Sequence, residues 1–268
     1  MPVPLVSVVI PAFNAQSFIA GTVQKLQEFF KAYAMDGEIL VVDDGSMDGT
    51  AEAIPKAPNV RLFTFNTNQG KGAALREGFR HAYGQVVLFT DADLPYGVEP
   101  IGVALYCIKE RGYQAVIGDR SLPSSSYGPT VPALRWILSS VCSLTVRTLL
   151  IGGIADTQCG FKAFQGDVAR ELSRLMKVSR FASDIEILYV LLKYRLDIKR
   201  IPVKASVNAS STVHAFADSL VAAWDICRVR AYWSLGRYFS PILNRVFEES
   251  GSSARRNAAA WLNSTRPR

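Results

Sequence analysis

The chain has 268 residues, 49% of them apolar, which is enough for one large α/β domain or a domain with an appendage. Its formal net charge of +7, with the basic excess late in the chain, is compatible with anionic membranes, nucleic acid or phosphorylated substrates and selects none of them. Four scattered cysteines without C-x-x-C spacing argue against a metal finger, and Met1-Pro-Val-Pro lacks the basic start and apolar core of a signal peptide, so a cytoplasmic protein with reduced thiols is expected.

In chain order, Leu5–Ile10 (LVSVVI) predicts a strand stopping at Pro11, then the loop Pro11-Ala12-Phe13-Asn14 and a helical pattern from about Ser17 to Tyr33. Glu38–Val42 predicts a second strand that runs into Asp43-Asp44-Gly45-Ser46-Met47-Asp48-Gly49-Thr50, and Val60–Phe65 a third. Asn68-Gln69-Gly70-Lys71-Gly72 then opens a helix over Ala73–Tyr83 that stops at Gly84. Val86–Thr90 is a fourth strand; it ends in Asp91-Ala92-Asp93 and is broken by Pro95. Strand and helix alternate at βαβ spacing, which predicts an α/β fold with a mainly parallel sheet covered by helices on both faces. Such sheets bind ligands beyond the carboxyl ends of their strands. All four loops fall at those ends, and that coincidence points to a nucleotide site.

Residues i and i+2 at a strand end point the same way, so Asp91 and Asp93 can face one point. Two hard carboxylate ligands suit Mg²⁺ or Mn²⁺ shared with substrate phosphates. A lone D-x-D is also ordinary turn material, and Asp43 and Asp44 are open to the same two readings, as acceptors for a base or ribose or as turn and N-cap residues. Gly70 and Lys71 could bring backbone N–H groups and an ammonium to a phosphate. The spacing is not that of a P-loop, and no G-x-G-x-x-G fingerprint or G-x-G-T-R start is present, which argues against a kinase, an ATPase, a dinucleotide-binding dehydrogenase and a nucleotidyltransferase.

Together IPAFNA, VVDDGSMDGT, NQGKGAA and FTDAD, in this order, resemble the family 2 glycosyltransferases of the GT-A fold. Gly118-Asp119-Arg120-Ser121, Asp156-Thr157-Gln158-Cys159-Gly160-Phe161-Lys162 and Phe181-Ala182-Ser183-Asp184-Ile185-Glu186 are similar to segments of the polyprenyl-phosphate glycosyltransferases, DTQCGFK being nearest to the dolichyl-phosphate β-glucosyltransferases. The resemblance covers about residues 5–204. It implies inverting transfer of a hexose, glucose from UDP-glucose being the first expectation, from a nucleotide-diphosphate sugar to a polyprenyl phosphate. It further implies donor contacts from Pro11, Ala12, Phe13, Asn14, Asp43, Asp44, Gly70, Lys71, Asp91, Ala92 and Asp93, with Asp91 and Asp93 holding the metal. Ala15 stands where that family usually has a glutamate, and Lys204-Ala205-Ser206 where the glucosyltransferases tend to have a tryptophan.

An acceptor phosphate is largely ionised near neutral pH, its second pKa being about 6, so cations that place it matter more than a base. Arg120 and Arg135 are the candidates, with Lys162 a further one. A soluble family 2 transferase acting on a saccharide or metabolite hydroxyl would instead need a carboxylate base, for which Asp156 and Asp184 are the candidates. A catalytically silent nucleotide-sugar-binding scaffold is the alternative of another class. Ser183-x-x-Glu186 also reads as a capping box, and His81 and His214 as surface helix residues.

Late in the chain, Pro132–Ile154 is apolar nearly all round, but Arg135 and Arg147 leave an uncharged run of only 11 residues, short of the roughly 20 that span a bilayer. It reads as a buried helix or as one lying in the membrane interface with Trp136 at headgroup depth. Phe216, Leu220, Ala223, Trp224, Cys227 and Ala231 form a second apolar stripe. The expected organisation is a transferase domain over 1–212, a helical extension over 213–248 and a disordered basic tail over 249–268. Peripheral binding at the cytoplasmic face of a membrane is expected, with no nucleic-acid partner, and a homo-oligomer is left open.

Overall fold

β1 (Val6–Ala12) lies between β2 (Gly37–Asp43) and β4 (Val86–Thr90) and is parallel to both. The computed structural model describes residues 3–125, 154, 156–180, 182–205 and 215–250. β3 (Val60–Thr64) adds in parallel outside β2. On the other side β6 (Phe161–Gln165) runs antiparallel between β4 and β5 (Ala115–Asp119), and β7 (Ile198–Pro202) closes the edge parallel to β5. The sheet order is β3-β2-β1-β4-β6-β5-β7. β2 and β4 are buried along their whole length, as expected of central strands covered on both faces, while edge strands β3 and β7 alternate with exposed residues.

The helices are α1 (Ile19–Ala32), α2 (Thr50–Ala53), α3 (Lys71–His81), α4 (Glu99–Lys109), α5 (Gly166–Leu175), α6 (Ser183–Lys193), α7 (Ala215–Ser234) and α8 (241–250). Alternate strand residues sort to opposite sides. Val9, Leu40, Val87 and Phe89 pack with Leu75 and Phe79 of α3, Leu172 of α5 and Leu188 of α6. Val8, Ile39 and Leu88 pack with Val23 and Leu26 of α1 and Ile101 and Ile108 of α4. Ile226 and Val229 of α7 and Leu243 of α8 join the first of these cores.

Several expectations are corrected. β1 continues through Pro11, because past the pair Val9–Phe89 it has no partner on the β4 side and a missing N–H costs no ladder bond there. α3 starts at Lys71, not Ala73, since Gly70 at φ 98 turns the chain directly into it. The predicted α7 stripe is out of phase: Trp224, Cys227 and Ala231 are exposed, and Ile226, Val229 and Trp233 face the core. The helix is apolar on both sides, and the rings of Tyr189, Tyr194 and Tyr238 around Trp233 decide which side packs. The 132–153 segment with Arg135, His214, Phe216, Leu220 and Ala223 as side chains, and the tail beyond residue 250 lie outside what is described.

Candidate active site

The antiparallel run of β6 explains how the site assembles. Its beginning, not its end, comes to the sheet edge where the parallel strands finish, so 156–160 meets the end of β4 through the pair Thr90–Phe161. The approach is close enough that a Cβ on Gly160 would sit 1.8 Å from Asp91 Oδ2, so a side chain there would displace the Asp91 carboxylate.

At the same edge the loops after β1 and β2 are stitched together. Asn14, in the left-handed region at φ 50, donates its N–H to Ser46 Oγ (2.9 Å) and accepts from Met47 N–H (3.0 Å). Ala15 N–H donates to Thr50 Oγ1 (2.7 Å), and Gln16 N–H to Asp48 Oδ2 (3.2 Å). Asp43 Oδ1 accepts from Ser46 N–H (3.0 Å), and its Oδ2 has no hydrogen bond among the described residues. Asp44 takes the N–H groups of Gln69 (2.7 Å) and Gly70 (2.8 Å), one on each oxygen, tying the β2 loop to the start of α3. Burial pushes its carboxyl up despite those bonds. Phe13 is exposed beside Asn14, while Pro11 and Ala12 are enclosed.

Beyond β4, Ala92 O accepts from Thr22 Oγ1 (2.7 Å), and Leu94, at φ 48, reverses the chain after the two carboxylates. Asp93 is pushed up by burial and then by the charge of Asp91. Lys71 Nζ lies 2.8 Å from Asp91 Oδ1 and 3.4 Å from Asp184 Oδ2, and Lys162 Nζ lies 2.5 Å from Asp184 Oδ1. Burial alone would lower the Lys71 ammonium, but Asp184 and Asp91 outweigh it and hold it charged. Asp184 is 2% exposed; burial raises it, yet the two lysines bring it below the ordinary carboxylate value. The result is a chain of alternating charge, Asp91–Lys71–Asp184–Lys162, that runs from the part-exposed Asp91 to the buried Lys162, with both ammoniums close to the Phe89 ring.

A second pair stands beside it. Arg120 Nε and Nη2 reach Asp156 Oδ2 (2.7 Å) and Oδ1 (2.8 Å), and Arg120 N–H adds a third bond (2.9 Å). Against the upward push of burial, these hold Asp156 below its ordinary value. Tyr96 is buried, and burial followed by the charge of nearby Cys159 pushes its phenol far up.

Two carboxylates, one destabilised by the other's charge, are the donor set that a divalent cation shared with phosphates relieves, so the residues fit one. Among the described residues no three His, Cys, Asp or Glu side chains form a closed metal cage. Lys162, expected to face a phosphate, has a side chain without exposed surface; its ammonium is used by Cys159 O (2.8 Å) and Asp184. The capping-box reading of Glu186 is corrected. Its carboxylate accepts from Lys177 N–H (2.8 Å), Val178 N–H (3.0 Å) and Tyr238 OH (2.5 Å), and Ser183 Oγ is buried with no partner among the described residues. His81 is half-buried, stacked on Phe63. Sequence reasoning missed Tyr96, Gly160 and the loop before α6; the nearness of Tyr96 to the D-x-D was the signal available.

Comparison with known proteins bears on this arrangement. The model of glycosyl transferase family 2 matches residues 7–172. The chain is similar to the dolichyl-phosphate beta-glucosyltransferase of Dictyostelium discoideum, 34% identical over 245 residues, which cover 86% of this chain and 75% of the relative. Among solved structures it is similar to mannosyl-3-phosphoglycerate synthase from Rubrobacter xylanophilus, with TM-score 0.65, 17% identity and coverage of 87% of this chain and 75% of that one. It is also similar to glucosyl-3-phosphoglycerate synthase from Mycobacterium tuberculosis in complex with Mn²⁺, UDP and phosphoglyceric acid (TM-score 0.61, 19% identity, 89% and 80% covered). At such identities the structural likeness concerns the fold.

Proposed function

The chain belongs to glycosyl transferase family 2 and has the GT-A fold, and from that premise we propose that it is a divalent-metal-dependent, inverting hexosyltransferase moving glucose from UDP-glucose to a polyprenyl phosphate. The single observation that carries this reading is the meeting of Asp91, Asp93 and Lys71 at one sheet edge with the Arg120–Asp156 pair. The relative from Dictyostelium, named for transfer to dolichyl phosphate, supports the acceptor. The Mn²⁺ and UDP held by the Mycobacterium enzyme support the donor and the metal.

On this reading Asp91 and Asp93 hold Mg²⁺ or Mn²⁺, which supplies positive charge for the leaving diphosphate. Asp43 and Phe13 face the nucleoside end, and Asp44 keeps the Gly70–Lys71 turn in place beneath the phosphates. Asp156 holds the Arg120 guanidinium in one orientation, at the place proposed for the acceptor phosphate. Arg135 is proposed to share that role. An ionised phosphate oxygen needs no base to attack. This suits a site whose two candidate bases, Asp156 and Asp184, are both occupied by cations.

A lipid acceptor requires a surface that meets the bilayer. No helix among the described residues is long and apolar enough to cross a membrane. The corner between α7 and α8 exposes Leu235 (68%), Phe239 (70%) and Ile242, with Arg237 and Arg245 beside them. We propose it as part of a peripheral contact at the cytoplasmic face. The test is a donor panel with a short polyprenyl phosphate against saccharide and metabolite hydroxyls. Transfer from UDP-glucose to the phosphate, reduced by several orders of magnitude in Asp91→Asn and Asp93→Asn, is expected. Transfer to hydroxyls alone would replace the acceptor, and UDP-glucose binding without turnover would make the protein a scaffold.

A further inference from the structure

The segment joining α5 to α6 is held with more care than a connection requires. Glu186, fully buried, accepts from the backbone N–H groups of Lys177 and Val178, one on each oxygen, and Tyr238 OH donates to the oxygen that Lys177 also holds. Ser179 O accepts from Ala73 N–H (3.1 Å) in the first turn of α3. The seating leaves no room for side chains. A Cβ on Gly70 would lie 2.4 Å from Ser179 O and 3.3 Å from Arg180 Cα, and one on Gly72 would lie 2.4 Å from Val178 O. Arg180 is thereby fixed beside Gly70, one residue from Lys71, whose ammonium touches Asp91.

A count of charge gives this placement its meaning. Lys71 is neutralised by Asp91 and Asp184, Lys162 by Asp184, and Arg120 is bound by Asp156. Arg180 is exposed; its carbonyl accepts from Ser183 N–H (3.0 Å), but its guanidinium makes no hydrogen bond or ion pair among the described residues. A divalent ion at Asp91 and Asp93, together with Arg135, would offset part of the charge on the phosphates of both proposed substrates, and the compensated cations above add little. A guanidinium suits their oxygens through two parallel N–H bonds, and the N–H groups opening α3 favour the same charge.

We propose that Arg180 binds a phosphate group of a substrate, either the donor diphosphate or the acceptor phosphate, and so sets substrate affinity; this rests on reading the Asp91–Asp93 edge as the phosphate end of the site. The test compares wild type, Arg180→Gln and Arg180→Lys. UDP affinity is read by calorimetry with Mn²⁺, acceptor KM by turnover with a short polyprenyl phosphate, and folding by thermal melting. Loss of one charge-assisted bond should weaken one of the two affinities about tenfold or more in Arg180→Gln. Lysine should recover part of it, with melting unchanged; a shift in UDP affinity assigns the donor, and a shift in KM alone assigns the acceptor. Unchanged affinities in both arms, or a lower kcat accompanied only by a lower melting temperature, would overturn the inference. If wild type fails to use the acceptor, the function reading falls, and UDP affinity alone still decides the role of Arg180.

Discussion

Asp184 shows how one residue can matter to the site without meeting substrate. Both of its oxygens carry lysine ammoniums, and those lysines set the position of Asp91 and of the Cys159–Gly160 turn. Asp184→Asn would leave the buried Lys162 ammonium without a carboxylate and Lys71 with Asp91 alone, so a loss on the order of 3–5 kcal/mol is expected in a urea titration. The pH dependence follows from the depressed carboxyls of Asp156 and Asp184. Their stabilisation is fully present above the ordinary value of 3.8 and is lost as pH falls through their lower folded values. Thermal melting of wild type should therefore drop steeply below about pH 4, and less so in Asp184→Asn; equal slopes would show that the pair is not coupled to folding. Asp91 and Asp93 were legible because strand, i and i+2 spacing and a proline break coincide in one short stretch. The Arg120–Asp156 pair was not, since its partners lie 36 positions apart and nothing local links them. Arg180 reads in sequence like any surface arginine, and only the seating of its loop distinguishes it.

At the scale of elements, α6, α7 and the turn to α8 form one brace behind the site. Tyr194 OH donates to Tyr238 O (2.7 Å) and accepts from Ser240 N–H (2.7 Å), while Tyr238 OH reaches Glu186. Tyr238→Phe removes a hydrogen bond to a buried carboxylate, which costs roughly 1.5–3 kcal/mol. The unfolding free energy from a urea titration should fall by that amount, through a lower midpoint at unchanged slope, and a neutral result would mean that Glu186 is held by the backbone alone. The parallel half of the sheet was legible because its strands are short runs rich in Val, Ile, Leu and Phe between turn signals. No strand was read over Phe161–Gln165, a run of five residues interrupted by Lys162 with no strand signal of its own, and its antiparallel direction is what delivers Asp156 and Gly160 to the edge. The phase of α7 failed for a related reason: a helix apolar on both sides leaves the choice to neighbours that only the fold brings together.

Over the whole molecule, parallel strands ending at one edge collect the donor loops, while the late helices carry exposed apolar residues and arginines at a corner. Cations near an anionic surface contribute about 1 kcal/mol each, so reversible, salt-sensitive binding to anionic liposomes, and little to neutral ones, is expected. Leu235→Glu with Phe239→Glu should reduce sedimentation with the vesicles and leave melting unchanged. Equal sedimentation of the double variant would move the contact elsewhere on the protein. The chemistry itself is tested most directly by incubating the chain with UDP-glucose, Mn²⁺ and a short polyprenyl phosphate and determining the product and its anomeric configuration. The account predicts a β-linked glucosyl phosphate, abolished by EDTA, restored by added Mn²⁺ and nearly absent in Asp91→Asn; full turnover in excess EDTA, or an α-linked product, would contradict it.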